Sequence, residues 1–319
     1  MPPRLVIAGP SQVGKTRIAK RLCEQEGHWF LNLDPARQDD APITCAGLLG
    51  PGGERKGFRF LGSLRLVSDP IAAFAAVAWA HEEAAEEPLV CELPIDRPGA
   101  VHAHLLRNLV TFLRPQRMIV VGYAEAETAL HPPDGCELEH RDPDEECEAR
   151  TSPAVAAWRK ATWKSYFARA EQHDLPLARV RISGARHGSG APLDEGDMQV
   201  LRDLGLPSAQ YAEVIHGLLH VVIPGNAPGA AVTAALDHFG CSDAHLVHPD
   251  TYRGLVCGLE DRLGRHFAVG RIIEAGFRAG VLKVLSPAES PAPAARVHLG
   301  RLRLDDDGNE IGELRAWQV

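Results

Sequence analysis

The sequence lacks the features that mark membrane, disulfide-rich and strongly basic proteins. No apolar run among its 319 residues approaches the roughly 18 that a membrane span needs. The seven cysteines are widely spread and never form a CxxC pair, which argues against a disulfide framework or a zinc ribbon. The formal net charge is −8, whereas proteins that depend on non-specific nucleic-acid contacts are usually basic. The short apolar run at the amino terminus leads directly into a glycine loop with no cleavage site, so we expect a cytoplasmic protein without membrane attachment.

Two weaker signals have structural as well as functional interpretations. Cys241, His245 and His248 are spaced loosely like zinc ligands, but real zinc sites usually show tighter pairs and the segment is also typical of a loop and a strand. Between residues 150 and 186, eight Lys or Arg stand against two acidic residues. This surplus is either an anion-binding stretch or a solvated helix face.

Strands and helices alternate over the first 123 residues. Apolar runs predict strands at 4–8, 28–34, 88–93 and 116–123, with a further extended segment at 58–67. The intervening segments predict helices at 15–26, 71–87 and 102–113. Strands that are apolar almost throughout indicate an α/β fold whose parallel sheet is covered by helices on both faces.

The second half of the chain has a different pattern of predicted helices and strands. A helix is predicted at 152–172, with Ser152 as N-cap and Pro153 at its first position. From about residue 217, short β-like segments are separated by Gly, Pro and Asp turns. This pattern predicts two domains, 1–216 and 217–319, of which the second is a small all-β domain.

Residues 9–16, GPSQVGKT, match the phosphate-loop pattern GxxxxGK[ST] in full, between a predicted strand and a predicted helix. Gly9 and Gly14 permit the backbone turn that points N–H groups at phosphate oxygens, and the helix N-terminus adds partial positive charge. Lys15 is expected to reach the β- and γ-phosphates, and the Thr16 hydroxyl to ligate Mg²⁺. We therefore predict a P-loop site for ATP with Mg²⁺. Its predicted nucleotide contacts are Gly9, Pro10, Ser11, Gln12, Val13, Gly14, Lys15, Thr16 and Arg17.

Asp34 follows the second predicted strand. In a parallel sheet the carboxyl ends of strands beside a phosphate loop face the ligand crevice. A carboxylate there can contact the metal or take a proton from a nucleophile, although Asp-Pro is also a common turn starter. The NKxD element of guanine recognition is missing, which weakens a GTPase interpretation.

Four segments resemble the polynucleotide 5′-hydroxyl kinases of the Clp/Grc type. The phosphate loop GPSQVGKT and the strand end FLNLDPARQ are similar to two of that family's motifs. RTSPAVAAWRKATWKSYF, at 150–167, resembles its arginine-bearing lid helix, within a lid region of about 136–172. The segments RGLVCGLEDRLGRHFAVGRIIEAGFRAGVLKVLSP and VHLGRLRLDDDGNEIG resemble its carboxy-terminal β domain.

The resemblance implies a role for each matching residue. Lys15 and Thr16 would hold ATP·Mg²⁺, and Asp34, also a candidate metal contact, would be the base that activates the 5′-hydroxyl. Arg150, the first lid arginine, would lie against the transferring phosphate. Such cations around the equatorial oxygens stabilise phosphoryl transfer, and a closing lid excludes water.

The sequence departs from the family pattern at several places. Gln12 replaces an Asp of the phosphate loop, and Gln38, a candidate substrate contact, is displaced by one residue. Val155 occupies the position of the second lid arginine, which leaves Arg159, one turn on, as the substitute. Asp96 stands where relatives stack a Trp on the terminal base, so Asp96 and Arg97 become candidates for the acceptor end. Because stacking contributes roughly 1–3 kcal/mol per base, end recognition must differ or be weaker.

The leading hypothesis is an ATP-dependent kinase that phosphorylates the 5′-hydroxyl end of RNA, with DNA as a further acceptor. Two alternatives stay open. One is an ATP-binding scaffold subunit of an RNA-processing assembly with little catalysis, which the departures at Val155 and Asp96 favour. The other is a different P-loop activity, such as a small-molecule kinase or a partner-stimulated ATPase.

Overall fold

The computed structural model describes residues 4–95, 99–122, 130–145, 147, 151–184, 186–290, 293–315 and 318. The chain divides into two compact units, residues 1–163 and residues 164–319. None of the helices in the described ranges combines the length and apolarity needed to cross a bilayer.

The first unit is built on a seven-stranded sheet. Its strands are β1 (Arg4–Gly9), β2 (Trp29–Asn32), β3 (Cys45–Leu49), β4 (Arg55–Phe60), β5 (Leu89–Pro94), β6 (Arg117–Val121) and β7 (Glu137–Arg141). Its helices are α1 (Lys15–Glu26), α2 (Pro70–Ala84), α3 (Ala100–Leu113) and α4 (Ser152–Tyr166), and the division between the units falls within α4. A short 3₁₀ turn spans Leu66–Ser68. The strand order is β4-β3-β2-β5-β1-β6-β7.

Alternate residues of β1 face opposite layers of helices. Leu5 and Ile7 pack in a cluster with Ala19 and Cys23 of α1. Val6 and Ala8 belong to a larger cluster that includes apolar residues of both α2 and α3. Each large apolar side chain buried in this way contributes about 1.5–3 kcal/mol. The strand is therefore apolar throughout because both of its faces are buried, as the sequence predicted for an α/β sheet.

The sheet is mixed at one edge instead of wholly parallel. β2, β5, β1, β6 and β7 run parallel to one another, whereas β3 pairs antiparallel with both β2 and β4. β3 and β7 were not predicted, and the extended segment predicted at 58–67 gives way to β4 and the 3₁₀ turn. None of the residues of β7, with the sequence ELEHR, is fully buried. The strand can therefore be polar throughout, and its sequence is typical of a loop.

The second unit contains two sheets. One is formed by β18-β17-β14-β15-β16-β8, with β9 beside β17, and the other by β10-β11-β12-β13. The strands are β8 (Glu171–Pro176), β9 (Arg181–Ser183), β10 (Ala191–Pro192), β11 (Tyr211–Ile215), β12 (Leu218–Val222), β13 (Asp243–Val247), β14 (Leu255–Glu260), β15 (His266–Gly276), β16 (Val281–Ser286), β17 (Arg296–Leu304) and β18 (Glu310–Glu313). The described part of this unit also contains helices α5 (Glu195–Asp203) and α6 (Gly229–Phe239) and a 3₁₀ turn at Pro249–Thr251.

Three details of the second half differ from the prediction. The boundary predicted at 216/217 falls in the tight turn between the paired strands β11 and β12, so it cannot separate two compact units. Segment 217–319 is not all-β, because it contains α6, which is alanine-rich and ends at Gly240 in the left-handed conformation. The helix predicted at 152–172 ends at Tyr166, and Glu171 and Gln172 instead pair with β16 as part of β8.

Candidate phosphate-binding site

The loop between β1 and α1 has the backbone shape of an anion cradle. Gln12 and Gly14 both adopt left-handed conformations, with φ of 69° and 92°. Turns of this kind direct successive N–H groups into one concavity, and α1 adds its N-terminal dipole because it begins at Lys15. Position 14 also requires glycine for space, since a Cβ there would lie 2.7 Å from Cβ of Asp144. Of the nine residues that the sequence assigned to the nucleotide, Gln12, Gly14, Lys15, Thr16 and Arg17 are among the described residues that line the cavity at this loop.

Lys15 is held at this loop. Its side chain is 3% exposed, and Nζ donates a hydrogen bond to the Pro10 carbonyl at 2.7 Å. The same Nζ lies 3.7 Å from Oε1 of Glu92. A buried ammonium with these two partners is oriented toward the loop, where phosphate oxygens would be its natural ligands.

Glu92 is a site residue that the sequence pattern did not reveal. It lies near the carboxyl end of β5, is 2% exposed, and accepts a hydrogen bond from the Thr16 hydroxyl at 2.8 Å. β5 is the parallel neighbour of both β1 and β2, so Glu92 stands beside Ile7 on one side and Asn32 on the other. Thr16 and Lys15 are thereby both tied to one buried carboxylate.

Asp34 follows β2 at the same edge of the sheet and is 6% exposed. Its backbone N–H donates to Oδ1 of Asn32 at 2.9 Å, and its own Oδ1 accepts from the Ala36 N–H at 3.1 Å. These two bonds fix the direction of the carboxylate as the chain turns away from the sheet. Asp34 and Glu92 both line the cavity that the phosphate loop borders.

Gln38 stabilises this turn through hydrogen bonds to its backbone. It is 2% exposed, and Nε2 donates to the carbonyls of Asp34 at 2.8 Å and Asn32 at 3.2 Å. Gln38 is not among the described residues that line the cavity. Its amide therefore positions Asp34, which differs from the substrate contact that the sequence predicted.

The cavity has a volume of about 820 Å³, within the range of sites that hold drug-sized ligands. Lys15, Thr16, Asp34 and Glu92 lie along its lining, together with four further cations: Arg17, Lys20, Arg21 and Arg37. These cations come from α1 and the turn after β2, and not from the basic stretch that the sequence singled out. Two of them already pair with acids, Arg17 with Asp144 at 3.1 Å and Lys20 with Asp40 at 2.7 Å. A cavity lined in this way suits a polyanion.

Helix α4 contributes two residues to the cavity, Val155 and Trp158. Arg159 is half-buried on the same helix, next to Trp158, but it is not among the described lining residues. The predicted site residues Asp96, Arg97 and Arg150 lie outside the described residues. Trp158 was not predicted, although it lies in the segment 150–167 that resembles the family's lid helix.

The residues present fit a triphosphate with Mg²⁺. The loop supplies amide donors and a lysine for phosphate oxygens, and the Thr16 hydroxyl with the two carboxylates supplies the oxygen ligands that Mg²⁺ prefers. The arrangement can thus bring an anionic donor, a metal ion and a carboxylate base together.

The sequence is similar to two archaeal proteins named polyribonucleotide 5′-hydroxyl-kinase. It is 24% identical over 159 residues to the one from Pyrococcus horikoshii, which is 49% of this chain and 42% of that protein. It is 24% identical over 164 residues to the one from Thermococcus kodakarensis, 50% of this chain and 44% of that protein. The matched region thus spans less than half the length of these relatives. No protein-family model matches the chain.

The fold is similar to that of Clp1p, as solved in complexes with Pcf11p. One such structure superposes with a TM-score of 0.58 at 13% sequence identity, over 94% of this chain and 74% of that one. A second, described with the loss of ATP in a point mutant, gives the same score and identity over 94% and 75%. At this identity the likeness concerns the fold alone.

Proposed function

We propose that this chain, which is related to the Clp-type polynucleotide 5′-hydroxyl kinases, transfers the γ-phosphate of ATP to the 5′-hydroxyl end of RNA, with DNA as the acceptor to be compared with it. One observation carries the proposal. Lys15, Thr16, Asp34 and Glu92 come from adjoining strand ends and the phosphate loop, and they line a single cavity. A nucleotide-binding loop alone would need no second carboxylate at the end of β2.

In the proposed reaction, Asp34 accepts the proton of the 5′-hydroxyl as that oxygen attacks the γ-phosphorus. A bond forms between O5′ and phosphorus, and the bond between phosphorus and the bridging oxygen breaks, so that ADP leaves with the electron pair. Lys15 and the loop amides stabilise the negative charge on the phosphate oxygens. Mg²⁺, when bound at Thr16 with Asp34 or Glu92 near by, would neutralise further charge on the phosphates.

Additional cations would come from the lid. The resemblance assigns Arg150 to the transferring phosphate, and Arg159 is the proposed substitute for the second lid arginine. Val155 and Trp158 support this proposal, because they bring helix α4 to the cavity wall and Arg159 lies beside them. Asp96 and Arg97, which follow β5, are proposed to contact the acceptor end.

Label transfer tests the proposal directly. Purified chain is incubated with γ-labelled ATP, Mg²⁺ and matched oligonucleotides that carry either a 5′-hydroxyl or a 5′-phosphate, as RNA and as DNA. We expect label on the 5′-hydroxyl oligonucleotides alone. ATP turnover that ignores the oligonucleotide would contradict the proposal and would favour another P-loop activity.

A second candidate is an ATP-binding subunit of an RNA-processing assembly. The similarity in fold to Clp1p, which was solved in complexes with Pcf11p, favours it, as do Val155 and Asp96 at positions where kinase relatives carry Arg and Trp. The same assay separates the two candidates when ATP binding is measured in parallel. Tight ATP binding without transfer to any acceptor would contradict the kinase proposal and favour the subunit role.

Trp158 gives a further prediction. Its indole lines the cavity, so we propose that it stacks on a nucleobase of one of the two substrates. Trp158→Ala should raise one KM by roughly 5- to 150-fold, the equivalent of about 1–3 kcal/mol of stacking, while Trp158→Phe retains most of the interaction. Steady-state kinetics with each substrate varied in turn shows whether the base is the adenine of ATP or that of the acceptor. If neither KM responds, Trp158 only packs the lid helix.

A further inference from the structure

A row of polar side chains crosses the four-stranded sheet of the second unit. Glu213 on β11 stands directly opposite His220 on β12, and His220 stands opposite His245 on β13. Directly opposed residues share one face of a sheet, so the three side chains project to the same side. Glu213 and His220 are fully buried, which is unusual for such groups unless they have partners.

A glycine-bearing loop places a third histidine, His187, against this row. His187 is 3% exposed, and its ring centroid lies 5.7 Å from that of His220. Gly188, with φ of +75°, fits so closely that a Cβ there would lie 2.1 Å from the Ile182 carbonyl oxygen. The N–H groups of Gly188 and Gly190 donate to Glu213 at 2.8 and 3.2 Å. The loop is thus fixed above the sheet by the carboxylate itself.

The histidines have the bonding pattern of metal ligands. Nδ1 of His220 lies 3.0 Å from Nδ1 of His245, and Nδ1 of His187 lies 3.0 Å from the Tyr252 hydroxyl. When His220 donates through Nδ1, its Nε2 carries a lone pair, and this buried Nε2 makes no hydrogen bond with any described group. Ligating histidines commonly use one ring nitrogen for such an orienting hydrogen bond and the other for the metal.

The charge state of the cluster is also suitable. Burial, with His220 near by, lowers the pKa of His187 to about 3, and burial, with His245 and Arg186 near by, lowers the pKa of His220 to about 4. Both rings are therefore neutral near pH 7, the form that binds metals. Burial raises the pKa of Glu213, and a cation beside the carboxylate would act in the opposite direction.

We propose that His187, Glu213 and His220 form a binding site for one first-row divalent ion of the Zn²⁺ class. One candidate ligand atom from each residue can be chosen so that all three lie within 4.8 Å of one another. At bonds of about 2.1 Å, the ligand atoms of a tetrahedral ion lie about 3.4 Å apart, so the side chains would close by at most about 1.4 Å on binding. Two imidazoles and one carboxylate are an established donor set for such ions. This site is independent of the proposed kinase function.

A second cluster in the same unit serves as a comparison. Glu260, His266 and His298 are also close together, but Glu260 already pairs with Arg296 at 3.0 Å. A metal ion there would have to compete with the guanidinium for the carboxylate.

The three residues with zinc-like spacing in the sequence do not come together as one site. His245 contacts His220, whereas Cys241 contacts the Phe239 carbonyl and His248 caps a 3₁₀ turn. Of these three residues, His245 alone joins the row, as an orienting partner.

The test uses the full, tag-free chain, first stripped with a chelator. Zn²⁺ is titrated against a chromophoric competitor, and Co²⁺ is added separately to record the visible absorption of the bound ion. We expect one equivalent per chain and a rise in the Tm of the protein on binding. Glu213→Gln keeps the shape of the residue, and His220→Gln removes an imidazole, so each should weaken binding by at least about tenfold.

His298→Gln is the matched control, because it removes a histidine from the comparison cluster. It should leave the affinity of the stripped protein for Zn²⁺ unchanged. Circular dichroism identifies any variant that fails to fold, and two substitutions in different strands keep the test decisive. The proposal is overturned if the parent chain binds no stoichiometric metal, if both variants bind as the parent does, or if His298→Gln is the one that loses binding.

Discussion

Asp34→Asn is expected to slow phosphoryl transfer to the acceptor hydroxyl by about 10²- to 10⁴-fold, the usual contribution of a positioned general base. The substitution is nearly isosteric. Its Oδ1 can still accept from the Ala36 N–H, and the backbone bond to Asn32 is untouched, so the turn should persist. The affinity for ATP should change little, because the loop and Lys15 hold the phosphates. Single-turnover measurements with saturating ATP give the rate of the transfer step.

Asp39→Asn is the matched control for this prediction, since Asp39 lines the same cavity but is exposed. It should transfer phosphate at nearly the parental rate. The Mg²⁺ dependence then separates the two roles proposed for Asp34. A base can be lost without moving the Mg²⁺ concentration that gives half-maximal rate, whereas a lost ligand raises that concentration. A transfer rate for Asp34→Asn that stays close to the parental rate at all Mg²⁺ concentrations would remove Asp34 from the mechanism.

The first unit was largely predictable because its signals are local. β1 is apolar on both faces, and the phosphate loop has a fixed length between its strand and its helix, so the position of α1 followed directly. The resemblance to Clp-type kinases, based on short motifs, is confirmed by the two archaeal relatives, and the fold is similar to that of Clp1p. The antiparallel strands β3 and β4 were harder to predict, because pairing at the edge of a sheet depends on distant partners.

Glu92 could not be predicted as a site residue from the pattern of its strand. It stands inside the apolar run PLVCELP, and the pattern records only that the run is a buried strand. The informative signal is the charge itself, since an acid in a strand buried on both faces needs a partner. Which partner it has depends on the strand order, because β5 lies between β2 and β1 only after the chain has crossed over the sheet.

The second unit was predicted less well for a similar reason. The segment from residue 217 is rich in strands, as predicted. However, β8 and β9, which precede it in the chain, belong to the larger sheet, and β10 and β11, which also precede it, pair with each other while β11 pairs with β12. The row of Glu213, His220 and His245 is a product of strand register. His220 and His245 are 25 residues apart in the sequence. No sequence motif predicts that two residues at this separation are in contact.

Glu92→Gln is expected to lower the free energy of unfolding of the nucleotide-free chain by about 3–5 kcal/mol, the usual cost of removing one partner from a buried ion pair. The glutamine can still accept a hydrogen bond from Thr16, so the loss isolates the charge that balances Lys15. Phosphate groups would supply that charge when ATP binds. Denaturant titrations should therefore show a smaller loss in the presence of ATP·Mg²⁺. A change below about 0.5 kcal/mol without nucleotide would mean that other groups compensate Lys15.

Adding Lys15→Met to Glu92→Gln tests why the pair is present. If the single variant is unstable because an uncompensated ammonium is buried, the double variant should regain most of the lost stability, since neither charge remains. It should nevertheless transfer no phosphate, because the cation that would contact the β- and γ-phosphates is gone. A double variant that is stable and inactive would show that the fold does not need the ion pair, and that Glu92 serves to balance the charge of Lys15 until an anionic ligand binds. A double variant less stable than both single variants would instead assign the pair to the stability of the fold.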